Sequence, residues 1–199
     1  MKESVLARYL PADAIPIIER WIHDAPCEFK ITKGRISKYG DYRHPYQAKG
    51  HRISVNGDLN PYAFLVTTVH EFAHLKTWQE HKNKVKPHGT AWKNNFKMLM
   101  EPFLLLNCFP CDIQAAVVNY LRNPRASSSS DLELFRLLHK DSVKKKGVIA
   151  LEDLPNKAIF AIASGRRFEK GDKLRKRYRC VEQGTGRVYL FNPLAEVQI

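Results

Sequence analysis

The segment Val69-His70-Glu71-Phe72-Ala73-His74-Leu75 places two imidazoles four residues apart, with a carboxylate beside the first, inside an apolar run. Residues four apart on an α-helix lie on one face, so a helix here lets His70 and His74 aim ring nitrogens at one metal ion. Glu71, about 100° round the axis, can then hold a water beside that ion. With 8 histidines in 199 residues, chance supplies this H-E-x-x-H arrangement roughly 0.02 times. The segment therefore demands a helix, and a source of further ligands elsewhere in the chain.

The surrounding sequence supplies that helix. Asn60 is the expected N-cap and Pro61 the first helical residue of a helix running through Phe64, Leu65, Thr68, His70, His74 and Trp78. Upstream, Ala14, Ile15, Ile18, Trp21 and Ile22 recur at helical spacing behind Pro11, and Ala25-Pro26 ends that helix. Between the two helices, glycines 34, 40 and 50 punctuate β-type sequence, which predicts short strands near 28–32, 36–43 and 51–56. Downstream, a basic loop over residues 80–87 leads into a helix from His88 through Phe96, Leu99 and Met100. Residues 112–122 form another apolar helix.

A catalytic zinc takes three protein ligands and leaves one position open, so one more donor is required. His81 lies on the face of His74, but seven residues at 1.5 Å rise carry it about 10 Å along the axis, beyond reach of a shared ion. Glu80 has the offset of the third histidine in metzincins, yet it is a carboxylate, and Thr77 stands where that pattern needs glycine. His88 follows a loop long enough to reverse direction and precedes Gly89. It is the expected third ligand.

His70-Glu71-Phe72-Ala73-His74 followed by His88-Gly89 and Trp92 resembles the SprT-like zinc peptidase family, over roughly residues 10–122. Gly34 through Arg43 is also similar to that family's basic β-hairpin ahead of the metal helix. The resemblance implies an α+β, zincin-like domain with His70, His74 and His88 as ligands to one catalytic Zn2+ and Glu71 as catalytic base. It implies peptide hydrolysis by an activated water, on protein substrates associated with or crosslinked to DNA. In many members a zinc ribbon follows. Here Cys180 in Arg177-Tyr178-Arg179-Cys180 lacks the paired cysteines of a ribbon, so no second zinc is expected.

Composition bounds the rest. Lys and Arg exceed Asp and Glu by 33 to 20, a surplus that favours polyanionic partners. Residues 140–179 hold 13 basic against 5 acidic residues. Arg166, Arg167, Lys173, Arg175, Lys176 and Arg177, interleaved with Phe168 and Tyr178, form a candidate phosphate-contacting surface with stacking rings. Lys82, Lys84 and Lys86, with Lys93 and Lys97, form a second basic group flanking the metal site. The competing reading is a nucleic-acid-binding protein with a structural or residual zinc site.

Four scattered cysteines fit a reducing compartment, and no segment is apolar enough to lead the chain out of the cell or span a membrane. A cytoplasmic monomer is expected. Cys108-Phe109-Pro110-Cys111 is expected to be a helix-to-helix turn with packed thiols. His23, His44, His51, His81 and His139 are expected to be surface or structural residues, and Trp78, Trp92 and Phe96 core residues. Asn123-Pro124-Arg125-Ala126 and the serines after it look like a linker, dividing a domain at 1–125 from residues 126–199. That second part is expected to hold a short helix over 131–140 and a small antiparallel β unit with strands around 158–162, 177–181 and 187–191.

Overall fold

A computed structural model describes residues 4–35, 38–125, 131–139 and 147–199. Helices and two β-sheets make the fold α+β, and the chain divides into two compact units, Met1–Ser142 and Val143–Ile199.

In the first unit the order is α1 (Ile15–Asp24), β1 (Cys27–Thr32), β2 (Gly40–Arg43), β3 (His51–Asn56), α2 (Pro61–His81), α3 (Thr90–Leu105), α4 (Cys111–Arg122) and α5 (Leu132–His139). The helix expected from residue 11 begins as a 3-10 turn, Ala12–Ala14. β3 is the central strand of a three-stranded sheet, parallel to β1 and antiparallel to β2. β2 is shorter than expected, and residues 36 and 37 lie outside the described residues. Ile53 and Val55 of β3 are buried in the core beside α2.

Asn60 caps α2, its Oδ1 accepting from the backbone N–H groups of Tyr62 at 3.1 Å and Ala63 at 2.9 Å. Each satisfies a donor that the helix itself leaves unpaired. The amide of Asn60 also donates to the Leu138 carbonyl, tying the start of α2 to α5. Phe64, Leu65, Val69, Phe72 and Ala73 are all buried, so α2 is apolar round most of its circumference and runs through the core. Trp21 of α1 packs on Phe72 and Phe103 at ring distances of 5.3 and 5.4 Å.

α5 belongs to this unit, because Leu134 and Leu138 are buried in its core. The division between units therefore falls later than the boundary at residue 126 expected from sequence; residues 126–130 and 140–146 lie outside the described residues.

The second unit is a six-stranded antiparallel sheet in the order β4-β9-β5-β6-β7-β8, made of β4 (Val148–Ala150), β5 (Ile159–Ala161), β6 (Arg167–Leu174), β7 (Arg177–Glu182), β8 (Val188–Phe191) and β9 (Glu196–Gln198). Leu151, Leu154, Phe160, Phe168, Cys180 and Val197 form its core. A bulge interrupts β6 between Lys170 and Lys173. Gly171 permits it, since a Cβ there would lie 2.5 Å from the Arg179 carbonyl oxygen. Among the described residues no helix is long and apolar enough to cross a membrane.

Candidate metal centre

α2 presents His70 and His74 one turn apart, as the four-residue spacing requires. The chain leaves α2 at Lys82, turns, and re-enters helix at Thr90; His88 sits in the turn with φ of 57° and Gly89 caps α3. A left-handed conformation is uncommon outside glycine and is concentrated where function fixes the backbone. Gly89 is required by crowding, for a Cβ there would lie 2.9 Å from the Lys86 carbonyl oxygen, which accepts the Gly89 N–H.

The result is a triangle of nitrogens. The Nε2 atoms of His70 and His74 are 3.2 Å apart, those of His74 and His88 2.9 Å, and those of His70 and His88 3.2 Å. The edge of a tetrahedron with metal–nitrogen bonds near 2.05 Å is about 3.3 Å, so the three atoms are spaced as ligands to one ion. Among the described residues this is the only group of histidine, cysteine or carboxylate donors arranged to hold a metal. Burial, and then repulsion from the neighbouring imidazoles, lowers the pKa of His70 well below its ordinary value and that of His74 to about 3; burial alone lowers His88. Neutral imidazole is the form that binds metal, and three lone pairs brought this close are an arrangement that a cation satisfies.

Aromatic packing fixes the rings. Trp92, fully buried, lies 4.7 Å from His70, 5.4 Å from His74 and 4.7 Å from His88 between ring centroids, and stacks at 5.1 Å on Phe96. Trp92 and Phe96 are thus core residues that also floor the site. Tyr42 lies parallel to His74 at 6.1 Å, with its hydroxyl 2.8 Å from His51 Nδ1.

Glu71 is buried in the wall of the same cleft. Burial, and then the charge of Asp41, pushes its carboxyl up to about 8, while Arg35 and a hydrogen bond from the Tyr42 backbone N–H act in the opposite sense. Gly40 makes room for it: a Cβ there would fall 2.3 Å from Glu71 Oε1 and 2.7 Å from Thr67 Cγ2. Gly40 and Tyr42 escape a reading by spacing, because β2 meets α2 only through the tertiary fold. The glycine-punctuated β sequence is their one local signal.

The cleft has a volume of about 830 Å3 and is open to solvent. Lys38, Asp41, His44, Trp78, Lys82 and Lys86 line it alongside the histidines. Of the basic loop residues, Lys82 and Lys86 face this space, while Lys84 is exposed but is not part of the lining. Lys93 and Lys97 are not part of the lining and donate to Asn123 Oδ1 at 2.7 Å and the Arg122 carbonyl at 3.3 Å.

The other histidines stand apart from the triangle. His51 is buried against Tyr42, with its ring edge-on to Trp78 at 4.7 Å, and His23 pairs with Asp24 on the surface. His81 ends α2 beside Glu80, whereas His44 lies in the cleft wall stacked on Trp78. The His139 side chain lies outside the described residues. Trp78, expected in the core, is half-buried and lines the cleft. All four cysteines are free; Cys108 is buried but Cys111, the first residue of α4, is exposed, so only one thiol of that pair is packed.

In the second unit, strand alternation separates what the sequence interleaves. Phe168 is buried in the core, whereas Tyr178 is half-buried, with Lys170 and Lys173 Nζ 4.2 and 5.7 Å from its ring centroid. Arg166 is exposed but paired with Glu182 at 2.6 Å, its guanidinium lying 5.2 and 4.8 Å from the ring centroids of Phe168 and Tyr189. Lys170 is buried and donates to the Glu152 and Leu154 carbonyls. Arg167, Lys173, Arg175, Lys176 and Arg177 are exposed.

The chain matches no protein-family model, and no curated protein or solved structure matches it.

Proposed function

We propose that the first unit is a zinc-dependent endopeptidase of the SprT-like, zincin type. The observation that carries the reading is the convergence of three imidazole Nε2 atoms within 3.2 Å of one another in the wall of an open cleft that also contains a buried carboxylate. An all-imidazole donor set suits zinc better than calcium or magnesium, which prefer oxygen. Structural zinc sites are closed by four protein ligands, whereas three ligands beside an open cleft leave a position for chemistry.

His70, His74 and His88 would hold the ion, which when bound supplies Lewis acidity to a scissile carbonyl and to the attacking water. Glu71 takes the proton of that water and returns it to the departing amine, so no covalent acyl intermediate forms. Trp92 and the core beneath it hold the imidazoles in place, so little reorganisation accompanies the reaction.

Substrates bound to nucleic acid are part of the same proposal. The exposed Arg167, Lys173, Arg175, Lys176 and Arg177 support it, since clustered cations bind phosphates at the expense of condensed counterions.

The test is metal content together with cleavage of an unfolded protein, with and without DNA. Wild-type protein should carry one zinc and cut the substrate, and a chelator should abolish cutting. Glu71→Gln should keep the zinc and lose roughly 10²–10⁴ of the rate. Cleavage unchanged in that variant removes the mechanism, and zinc-loaded protein that binds DNA but never cuts leaves the competing nucleic-acid-binding reading in its place.

A further inference from the structure

We infer that the cleft selects acidic peptide segments, with Lys82 and Lys86 as the specificity-determining residues; this rests on the peptidase reading above. Both lysines are exposed and line the cleft that holds the histidines, so their ammonium groups meet whatever occupies it. Neither makes an ion pair among the described residues, in contrast to Lys38, which also lines the cleft and is 2.8 Å from Asp41. Among the described residues, Asp41 is the one carboxylate in the lining besides buried Glu71, and its other oxygen is held by Arg43 at 2.8 Å. Asp41 is thus spent on Lys38 and Arg43 and Glu71 is buried, so neither forms an ion pair with the two loop lysines among the described residues.

The Lys82 side chain and the Lys86 backbone are both held in place. Lys82 Nζ sits 4.0 Å above the Trp78 ring, which holds the cation over the cleft wall. Lys86 is anchored through its backbone, its carbonyl accepting the Gly89 N–H at 2.9 Å in the turn that positions His88. A carboxylate side chain of a bound peptide can pair with either ammonium while the peptide's apolar portion covers Trp78. A lysine or arginine at the same place would meet like charge, so the arrangement both attracts one class of segment and rejects the other.

Two short fluorescent peptides that differ only in carrying aspartates or lysines on both sides of a common centre test this. Their binding is measured by anisotropy at about 0.15 M salt, where the protein's distant charges are screened, on zinc-loaded Glu71→Gln protein, and their cleavage on wild type. The acidic peptide should bind more tightly by roughly fivefold for each lysine engaged. The difference should vanish in Lys82→Ala/Lys86→Ala, reverse in Lys82→Glu/Lys86→Glu, and survive in Lys82→Arg/Lys86→Arg, which keeps the charge. Zinc content should stay the same in all three.

Equal binding of the two peptides, or a preference that persists in the double alanine variant, overturns the inference. So does a short single-stranded oligonucleotide that displaces the peptide only when the lysines are present and binds there more tightly than it, since the cleft would then be a nucleic-acid site. Cutting without charge preference by wild type sinks the specificity and leaves the peptidase standing. Lysine-dependent binding of the acidic peptide with no cutting of either supports the acidic-segment site and sinks the peptidase.

Discussion

Glu71 is where burial and chemistry meet most directly. Its carboxyl is pushed from an ordinary 4.5 up to about 8, first by desolvation and then by Asp41, so at pH 7 the metal-free protein holds it protonated. The sign for stability follows: between those two values the folded state binds more protons than the unfolded chain, and the metal-free fold loses stability as pH rises through about 8. A divalent ion on the neighbouring histidines favours the carboxylate and expels that proton. His70 and His74 have no proton to release at pH 7, because their pKa values are lowered. Zinc binding at pH 7 should therefore release close to one proton more from wild type than from Glu71→Gln. Calorimetric titration of zinc in two buffers of different ionisation enthalpy measures this, and equal proton release by the two proteins would show that Glu71 does not couple to the metal.

Between elements, the site depends on the register of α3 against α2, and a buried side chain sets it. Asn95 Nδ2 donates to Thr77 Oγ1 at 3.1 Å and to Glu80 Oε2 at 2.7 Å, while Thr77 in turn donates to the Ala73 carbonyl. These bonds join the helices one turn beyond His74 and one turn beyond Trp92. Asn95→Leu keeps the size of the side chain but removes its hydrogen bonds, leaving Thr77 and Glu80 to other partners. It should cost about 1–3 kcal/mol of stability. Because α3 carries Trp92 and follows His88, zinc affinity should fall as well. An unchanged unfolding midpoint in denaturant would refute this role for Asn95. The helical period places His70 and His74 without any tertiary knowledge, and a distance argument along the helix axis is enough to prefer His88 over His81. Asn95 and Gly40 carry no such signature, since their partners lie 15 to 31 residues away and become neighbours only on folding. In β6 the alternation is broken by Lys170, which is buried, and by the bulge at Gly171, so a strand of eight residues looks like a charged turn in sequence.

At the scale of the whole molecule, a formal charge of +13 does not say which cations are available. Arg166 is paired with Glu182 and Lys170 is buried, so the total overstates the surface open to a polyanion. The turn between β6 and β7 is different: Arg175, Lys176 and Arg177 follow one another, are all exposed, and have no ion pair among the described residues. If these groups contact phosphates, each releases counterions on binding, and the logarithm of the association constant falls by about 0.9 per contact for each decade of salt on duplex DNA. Replacing Lys176 and Arg177 by Gln, and Arg175 by Asn to suit its φ of 47°, should flatten that slope by about 2 to 3 units if all three make contact. Binding measured over a range of salt on the intact Glu71→Gln protein reads the slope without cleavage. The same substitutions in wild type should leave hydrolysis of a short peptide unchanged in the absence of DNA, since they alter no residue of the first unit. A slope that does not move assigns the nucleic-acid contacts to other cations, with the loop lysines beside His88 the next to be replaced.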